Sequence, residues 1–426
     1  MLNKIVNTFG TRVAIAVINL LIAVMVSKML GTDGKGVQAM VVVSITYILV
    51  FANLMGGGAL VYLTPRFHFQ TLAVPAYLWA AANSLVFYFV LKIFNLVQEQ
   101  MILHVVILAA INGFTSINAS ILIGKEKIKS SNYIMLLQVV ISALSLVGFF
   151  YVAGLATIGS YIITLYIAFG SAFVLSLILL HRHTGGLRHA HWKEYRAASF
   201  QMLHYGVLNQ MAHIAQLLSF RMSFYWLNSL YGEAEVGIYS NGTSLVESIW
   251  LVSRSISMVQ YAHIANSTDT ASSQKLTARL TLAALVLSAI LLLIMIVLPP
   301  AFFVWLFGPG FGEVGAVILS LSPGVLLFNV ALIVGHYFSG TGKYHVNTIA
   351  SVAGLIVAII LYSTMIPALG ITGAGWATSI SYSFTALIVV LFFVREMIIR
   401  RSDIIPQKGE IKTLVTEMMK SLGKRN

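Results

Sequence analysis

The chain has 426 residues, 58% of them hydrophobic and only 9% charged, with a formal net charge of +13. A soluble domain carries roughly 25% charged residues, so this composition excludes a water-soluble globular protein and makes lipid the solvent for most of the chain. The absence of cysteine excludes disulfides, thiolate catalysis and Cys-ligated metals.

A membrane span needs ~20 mostly apolar residues. Such runs fall at 11–30, 37–63, 72–94, 101–123, 132–153 and 157–180, and again at 200–229, 236–262, 277–300, 315–339, 345–367 and 372–399. The first run is followed by Ser27-Lys28-Met29-Leu30-Gly31 rather than a small-x-small cleavage site, so it reads as a membrane helix and not a signal peptide. The seventh and eighth runs are the least apolar, because they carry Arg221, Glu247 and Arg254. The fold class expected is an all-α integral membrane protein of about twelve helices, in two parallel six-helix bundles with a central cavity.

Lysine and arginine set the expected orientation. The even-numbered gaps hold Arg66, then Lys125, Lys127 and Lys129, then Arg182, Arg188, Lys193 and Arg196, then Lys275 and Arg279, then Lys343. The odd-numbered gaps are poor in basic residues, and those after spans five and eleven hold no charge. This alternation predicts an even number of spans with both termini in the cytoplasm. The positive charge is then explained by cytoplasmic loops facing anionic headgroups, and nucleic acid is not an expected partner. The domains expected are a first six-helix bundle at 1–185, a cytoplasmic linker at 186–199, a second six-helix bundle at 200–400 and a basic tail at 401–426. The tail reads either as an amphipathic helix on the inner leaflet or as a frayed end.

The two halves repeat. Gly31 and Gly36, between spans one and two, share their spacing with Gly232 and Gly237, between spans seven and eight. Gly124-Lys125 after span four matches Gly342-Lys343 after span ten, and Gly154 to Gly159 matches Gly370 to Gly375. Six spans per half is an even number, so both halves enter from the same side and are related by an axis along the membrane normal.

These residues resemble a known family, the polysaccharide flippases of the multidrug/oligosaccharidyl-lipid/polysaccharide exporter superfamily, over nearly the full length. The resemblance is carried by Arg12 with Ser27-Lys28-Met29-Leu30-Gly31-Thr32-Asp33-Gly34-Lys35-Gly36, by Gly56-Gly57-Gly58-Ala59-Leu60 through Pro65-Arg66, and by Glu235-Val236-Gly237-Ile238-Tyr239-Ser240. It is also carried by Ser339-Gly340-Thr341-Gly342-Lys343 and by Ile366-Pro367 through Trp376-Ala377-Thr378. It implies translocation of an undecaprenyl-pyrophosphate-linked oligosaccharide to the outer leaflet of a bacterial inner membrane. Such members act before polymerisation of O-antigen, capsule or exopolysaccharide, with a glycan polymerase and glycosyltransferases as partners. Family members often carry an acid in span seven shortly after the position of Arg221. This chain reads Arg221-Met222-Ser223 there, which removes that coupling group.

A sugar pyrophosphate crossing ~30 Å of hydrocarbon needs a polar, cationic cavity. Arg221 and Arg254 are the first candidates, because a charge within a span costs at least ~2.5 kcal/mol and guanidinium matches phosphate bidentately. The competing reading for each is snorkelling to headgroups. Arg12, about one turn into span one, is a third candidate under the same alternatives. Glu247 is a candidate for ion coupling, or half of a structural pair. Gly56, Gly57 and Gly58 are a candidate hinge in span two. The cluster His181, His183, His189 and His191 reads as a solvated loop, so no metal site is expected. No Walker loop or nucleophile motif is present. The expectation is therefore a non-enzyme without a cofactor, driven by an H+ or Na+ gradient or by the membrane potential. Three rival readings are a multidrug or small-solute cation antiporter, which should carry acids in its first bundle, a polytopic polymerase or glycosyltransferase, which should carry a long periplasmic loop, and a lipid II flippase, which should carry more spans than twelve.

Overall fold

The computed structural model describes residues 2–184, 191–265 and 269–398. Among them every regular element is a helix. The first half contains α1 (Leu2–Ala52), a short 3-10 turn (Asn53–Met55), α2 (Gly57–Leu63), α3 (Phe69–Ile93), α4 (Glu99–Gly124), α5 (Ile128–Val147), a wide helical turn (Gly148–Val152) and α6 (Ile158–His183). The second contains α7 (Trp192–Tyr231), α8 (Glu233–Ser248), α9 (Trp250–Ala265), α10 (Thr270–Val297), α11 (Pro300–Phe307), α12 (Val314–Gly340) and α13 (Tyr344–Arg395).

Among the described residues eight segments are long and apolar enough to cross a membrane. Two of these, Gly10–Leu63 with 54 residues and Tyr344–Arg395 with 52, are twice the ~20 residues that one crossing takes. Each is two spans joined at a glycine. Gly31 has φ +69° and Gly370 has φ +58°, a region that costs other residues strain. The remaining two spans are α7, which is too polar to qualify on composition, and the α8–α9 pair, whose helices have 16 residues each. The protein is thus an all-α membrane protein with about twelve spans.

The repeat read from the sequence is present in the backbone. Gly232, the partner of Gly31, and Gly154, the partner of Gly370, also have positive φ. The paired lysines share a task as well. Lys125 donates from Nζ to the His183 carbonyl at the end of α6 (3.1 Å), and Lys343 pairs with the Glu396 carboxylate at the end of α13 (2.6 Å). A cation at a helix C-terminus meets the negative end of the dipole.

Helix packing divides the chain at a different place from the repeat. One compact unit comprises Gly10–Ser240 with Phe303–Gly312. The other comprises Asn241–Phe302, the described part of Glu313–Asn426, and the first residues of α1. The expected linker at 186–199 is helix from Trp192 onward, and its residues 186–190 lie outside the described residues. The seventh span packs with the first-half helices. Ala198 and Met202 of α7 share a buried cluster with Leu60, Leu63, Leu72, Ile121 and Leu180. Glycine permits this closeness: a Cβ on Gly206 would fall 1.7 Å from the Leu54 carbonyl oxygen. The basic tail at 401–426 lies outside the described residues.

Within the first unit the two Gly-x4-Gly motifs touch each other. A Cβ on Gly36 would meet the Glu233 carbonyl oxygen at 1.8 Å, and a Cβ on Gly237 would meet the Thr32 carbonyl oxygen at 2.1 Å. Counted from Gly31 and Gly232, Thr32 corresponds to Glu233 and Gly36 to Gly237. The contact is therefore reciprocal, as a two-fold relation between the repeats requires.

In the other unit α12 is central. Of its most apolar stretch, 72% is buried, against 22% for α10 and 33% for α13. Small residues let α13 approach it: a Cβ on Gly324 would fall 2.3 Å from the Ser379 Cα.

Candidate functional site

The charged residues predicted to act divide between the two packing units. Glu247 and Arg254 lie in the unit built on α12, flanking a break. α8 ends at Ser248, α9 begins at Trp250, and Ile249 between them forms a turn. A seven-residue spacing along one continuous helix would set both residues on one face, but the break cancels that argument. An aromatic cluster relates them instead.

Trp250 is buried, with its ring 5.0 Å from Phe328 of α12 and 5.5 Å from Tyr382 of α13. Its Nε1–H donates to the Val325 carbonyl (3.0 Å), so the indole satisfies its polar atom while filling the core. The Tyr382 hydroxyl donates to the half-buried Glu247 carboxylate (3.1 Å). The Arg254 guanidinium lies 5.8 Å from the Trp250 ring, within cation–π range. Arg254 itself is exposed. The cluster thus contacts Glu247 through the Tyr382 hydroxyl and Arg254 through the Trp250 ring.

The face of α9 next to Arg254 is polar but closed. Ser253 donates to the Asn329 Oδ1 (2.5 Å), Ser257 to the Leu332 carbonyl (3.4 Å) and Gln260 to the Thr277 hydroxyl (2.8 Å). All three side chains are buried. Their i, i+4, i+7 spacing makes them one stripe, bonded to α10 and α12. This explains the low apolarity of the eighth span: part of its polarity is spent on interhelical hydrogen bonds.

Arg221 lies on α7 in the first packing unit, part-buried, with its guanidinium 5.7 Å from the Phe224 ring and Nη1 3.4 Å from the Phe220 carbonyl. Arg12 is exposed on α1. The glycine triplet does interrupt span two. Asn53–Met55 form a 3-10 turn, Gly56 is extended, and α2 starts at Gly57. Gly57 has φ +48°, and a Cβ there would lie 3.2 Å from the buried Gln210 amide of α7.

Lys35 has a place that sequence reasoning did not assign. It lies in the helix that resumes after Gly31, within the Gly10–Leu63 segment, and only 5% of it is exposed. Its Nζ donates to Gln38 (2.6 Å), whose Nε2 donates to the Tyr161 hydroxyl (3.1 Å). The signal available in the sequence was a lysine in an otherwise base-poor odd-numbered gap.

No family model matches the chain. Over its full length the structure is similar to a lipid II flippase, MurJ, in an inward closed conformation. The TM-score is 0.68 with 13% identity, covering 100% of this chain and 94% of that one. The fold is that of the MOP-superfamily transporters. An inward-facing multidrug resistance MATE transporter of that superfamily gives a TM-score of 0.63 with 14% identity over 89% of this chain and 94% of that one. A MOP-superfamily transporter from Pyrococcus furiosus gives 0.57 with 14% identity over 92% and 94%. In sequence, the chain is 26% identical over 174 residues to the capsular polysaccharide biosynthesis protein CapF of Staphylococcus aureus. That match spans 40% of this chain and 44% of the relative, less than half of either.

Proposed function

We propose that this protein flips an undecaprenyl-pyrophosphate-linked oligosaccharide from the cytoplasmic to the outer leaflet of a bacterial inner membrane by alternating access. The observation that carries the reading is the full-length likeness in fold to a lipid II flippase, joined to the partial sequence likeness to a capsular polysaccharide biosynthesis protein. Under it Arg221, Arg254 and Arg12 meet the pyrophosphate and sugar, Glu247 couples transport to an H+ or Na+ gradient, and Gly56–Gly58 act as the hinge. The protein is then not an enzyme, both termini are cytoplasmic, and a glycan polymerase and glycosyltransferases work beside it.

The second reading is a cation antiporter, which the likeness to multidrug transporters favours. The acids count against it. Asp33 is exposed beside the Gly31 turn, Glu99 is the first residue of α4, and Glu126 lies in the turn after it. Each of these acids therefore lies at a span end or in a turn, and none in the middle of a described span of the first half.

The test is transport in proteoliposomes. Flipping should require the pyrophosphate-linked lipid, and transport of a simple cationic drug in its place would overturn the proposal. Arg254→Ala should abolish surface glycan at unchanged protein level; normal glycan in that strain would remove Arg254 from the site. Reporter fusions after Gly232 and Lys343 should read periplasmic and cytoplasmic, and the same side for both would sink the topology.

A further inference from the structure

One end of the first packing unit carries an open row of rings with a cation fixed at its head. Arg66 lies just beyond α2, with its guanidinium carbon 3.6 Å from the centre of the Tyr62 ring. One of its five N–H donors, at Nη1, goes to the Tyr62 carbonyl (2.6 Å). Among the described residues no acidic side chain pairs with it, so the outer fork of the guanidinium points to an acceptor from outside the protein. The row continues from α2 to α7. Tyr62 lies 4.8 Å from Tyr205, Tyr205 lies 5.4 Å from His204, and His204 stacks on Phe200 at 6.5 Å. Unlike the Trp250 cluster, this one is open: Tyr62 is 44% exposed, Tyr205 37% and Phe200 72%.

We infer that Arg66 and the Tyr62–Tyr205 ring pair form a docking site for the glycosyl pyrophosphate headgroup of a polyprenyl lipid, at the membrane surface where span two ends. Guanidinium held flat on a ring keeps its orientation and offers a planar fork to phosphate oxygens. The two tilted tyrosine rings, whose hydroxyls hydrogen-bond to each other, offer apolar faces to the C–H face of the first sugar. An ordinary phospholipid headgroup would satisfy Arg66 and leave the rings unused. Arg66 also belongs to the basic, even-numbered gaps, the side on which the substrate would arrive. The seam behind the site is shut by the contact of Gly206 with Leu54, so this is a surface station rather than a passage. The inference rests on the proposed flippase reading but adds a site outside the charged residues that reading uses.

The experiment uses the full-length protein in phosphatidylcholine nanodiscs. The probes are undecaprenyl pyrophosphate, undecaprenyl-pyrophosphate N-acetylglucosamine and phosphatidylglycerol, each quantified by native mass spectrometry. Arg66→Gln should weaken both polyprenyl probes about tenfold, roughly the loss of one charge-assisted bond. Tyr205→Leu should weaken only the sugar-bearing probe, and Arg66→Lys should recover part of the loss. Equal competition by phosphatidylglycerol would reduce the site to a headgroup belt and overturn the inference, as would wild-type binding in Arg66→Gln. If Arg66→Gln does not fold, Tyr205→Leu decides alone, and an unselective loss there also overturns it. Flipping by the wild-type protein, measured in parallel, separates the two ideas. Flipping with unchanged Arg66→Gln binding sinks only this site, whereas no flipping and no polyprenyl binding sinks the flippase reading with it.

Discussion

The second span of the first half is broken at Asn53–Gly56 and the second span of the other half at Ile249, within about two helical turns of the equivalent position. The first break runs into three consecutive glycines, Gly56 to Gly58. Its neighbours close on backbone, with Gly206 against Leu54 and Gly57 against Gln210. The other is filled by bulk, with Trp250, Phe328 and Tyr382 packed around the turn and Glu247 and Arg254 at its edges. One scaffold position therefore supports two solutions. Close backbone approach leaves no room for chemistry, whereas large side chains can carry charge into a span because their rings and hydroxyls stabilise it.

The comparison can be broken at either end. The largest effect is expected where glycine alone fits. Gly206→Val forces a side chain into the Leu54 backbone at the first break and should cost more than ~3 kcal/mol, read as loss of the monodisperse peak in fluorescence-detected size exclusion. Trp250→Ala should cost about 3–5 kcal/mol by opening a cavity at the other break, read as a fall in Tm in detergent. A smaller loss than in Gly206→Val would support backbone contact as the tighter constraint.

Lys35→Met should stabilise the protein, since it removes a buried charge that has only an amide partner. Its Tm in detergent should rise above the wild-type value, and an unchanged or lower Tm would show that the Gln38 bond fully stabilises the buried ammonium. Tyr382→Phe, which removes the donor to Glu247, should cost about 1 kcal/mol. The smallest effect is expected for Lys343→Ala. Its ion pair is 43% and 31% exposed, so its loss should cost at most ~1 kcal/mol, and a larger fall in Tm would give the lysine clamps a greater role than their exposure suggests.

Much of this protein is legible without coordinates. Apolar runs of bilayer length define the spans because lipid leaves no other way to satisfy a backbone. The repeat is visible because turns between spans need glycine at fixed places, and Gly31, Gly154, Gly232 and Gly370 all take positive φ. The two polar spans, seven and eight, also stand out in the sequence as the odd ones. What they do with their polarity is not legible there. Ser253, Ser257 and Gln260 have partners far away in the chain, and nothing local distinguishes them from residues facing a substrate.

Composition and periodicity by themselves determined the solvent, the number of spans and the two-fold repeat, since each depends on local transfer free energy or local backbone geometry. Only the tertiary structure decided that the seventh span packs with the first half, that the eighth is broken between Glu247 and Arg254, and that Lys35 is buried. Those outcomes depend on which small residues let helices approach and which large ones hold them apart, a property of pairs of residues that a single chain position does not carry.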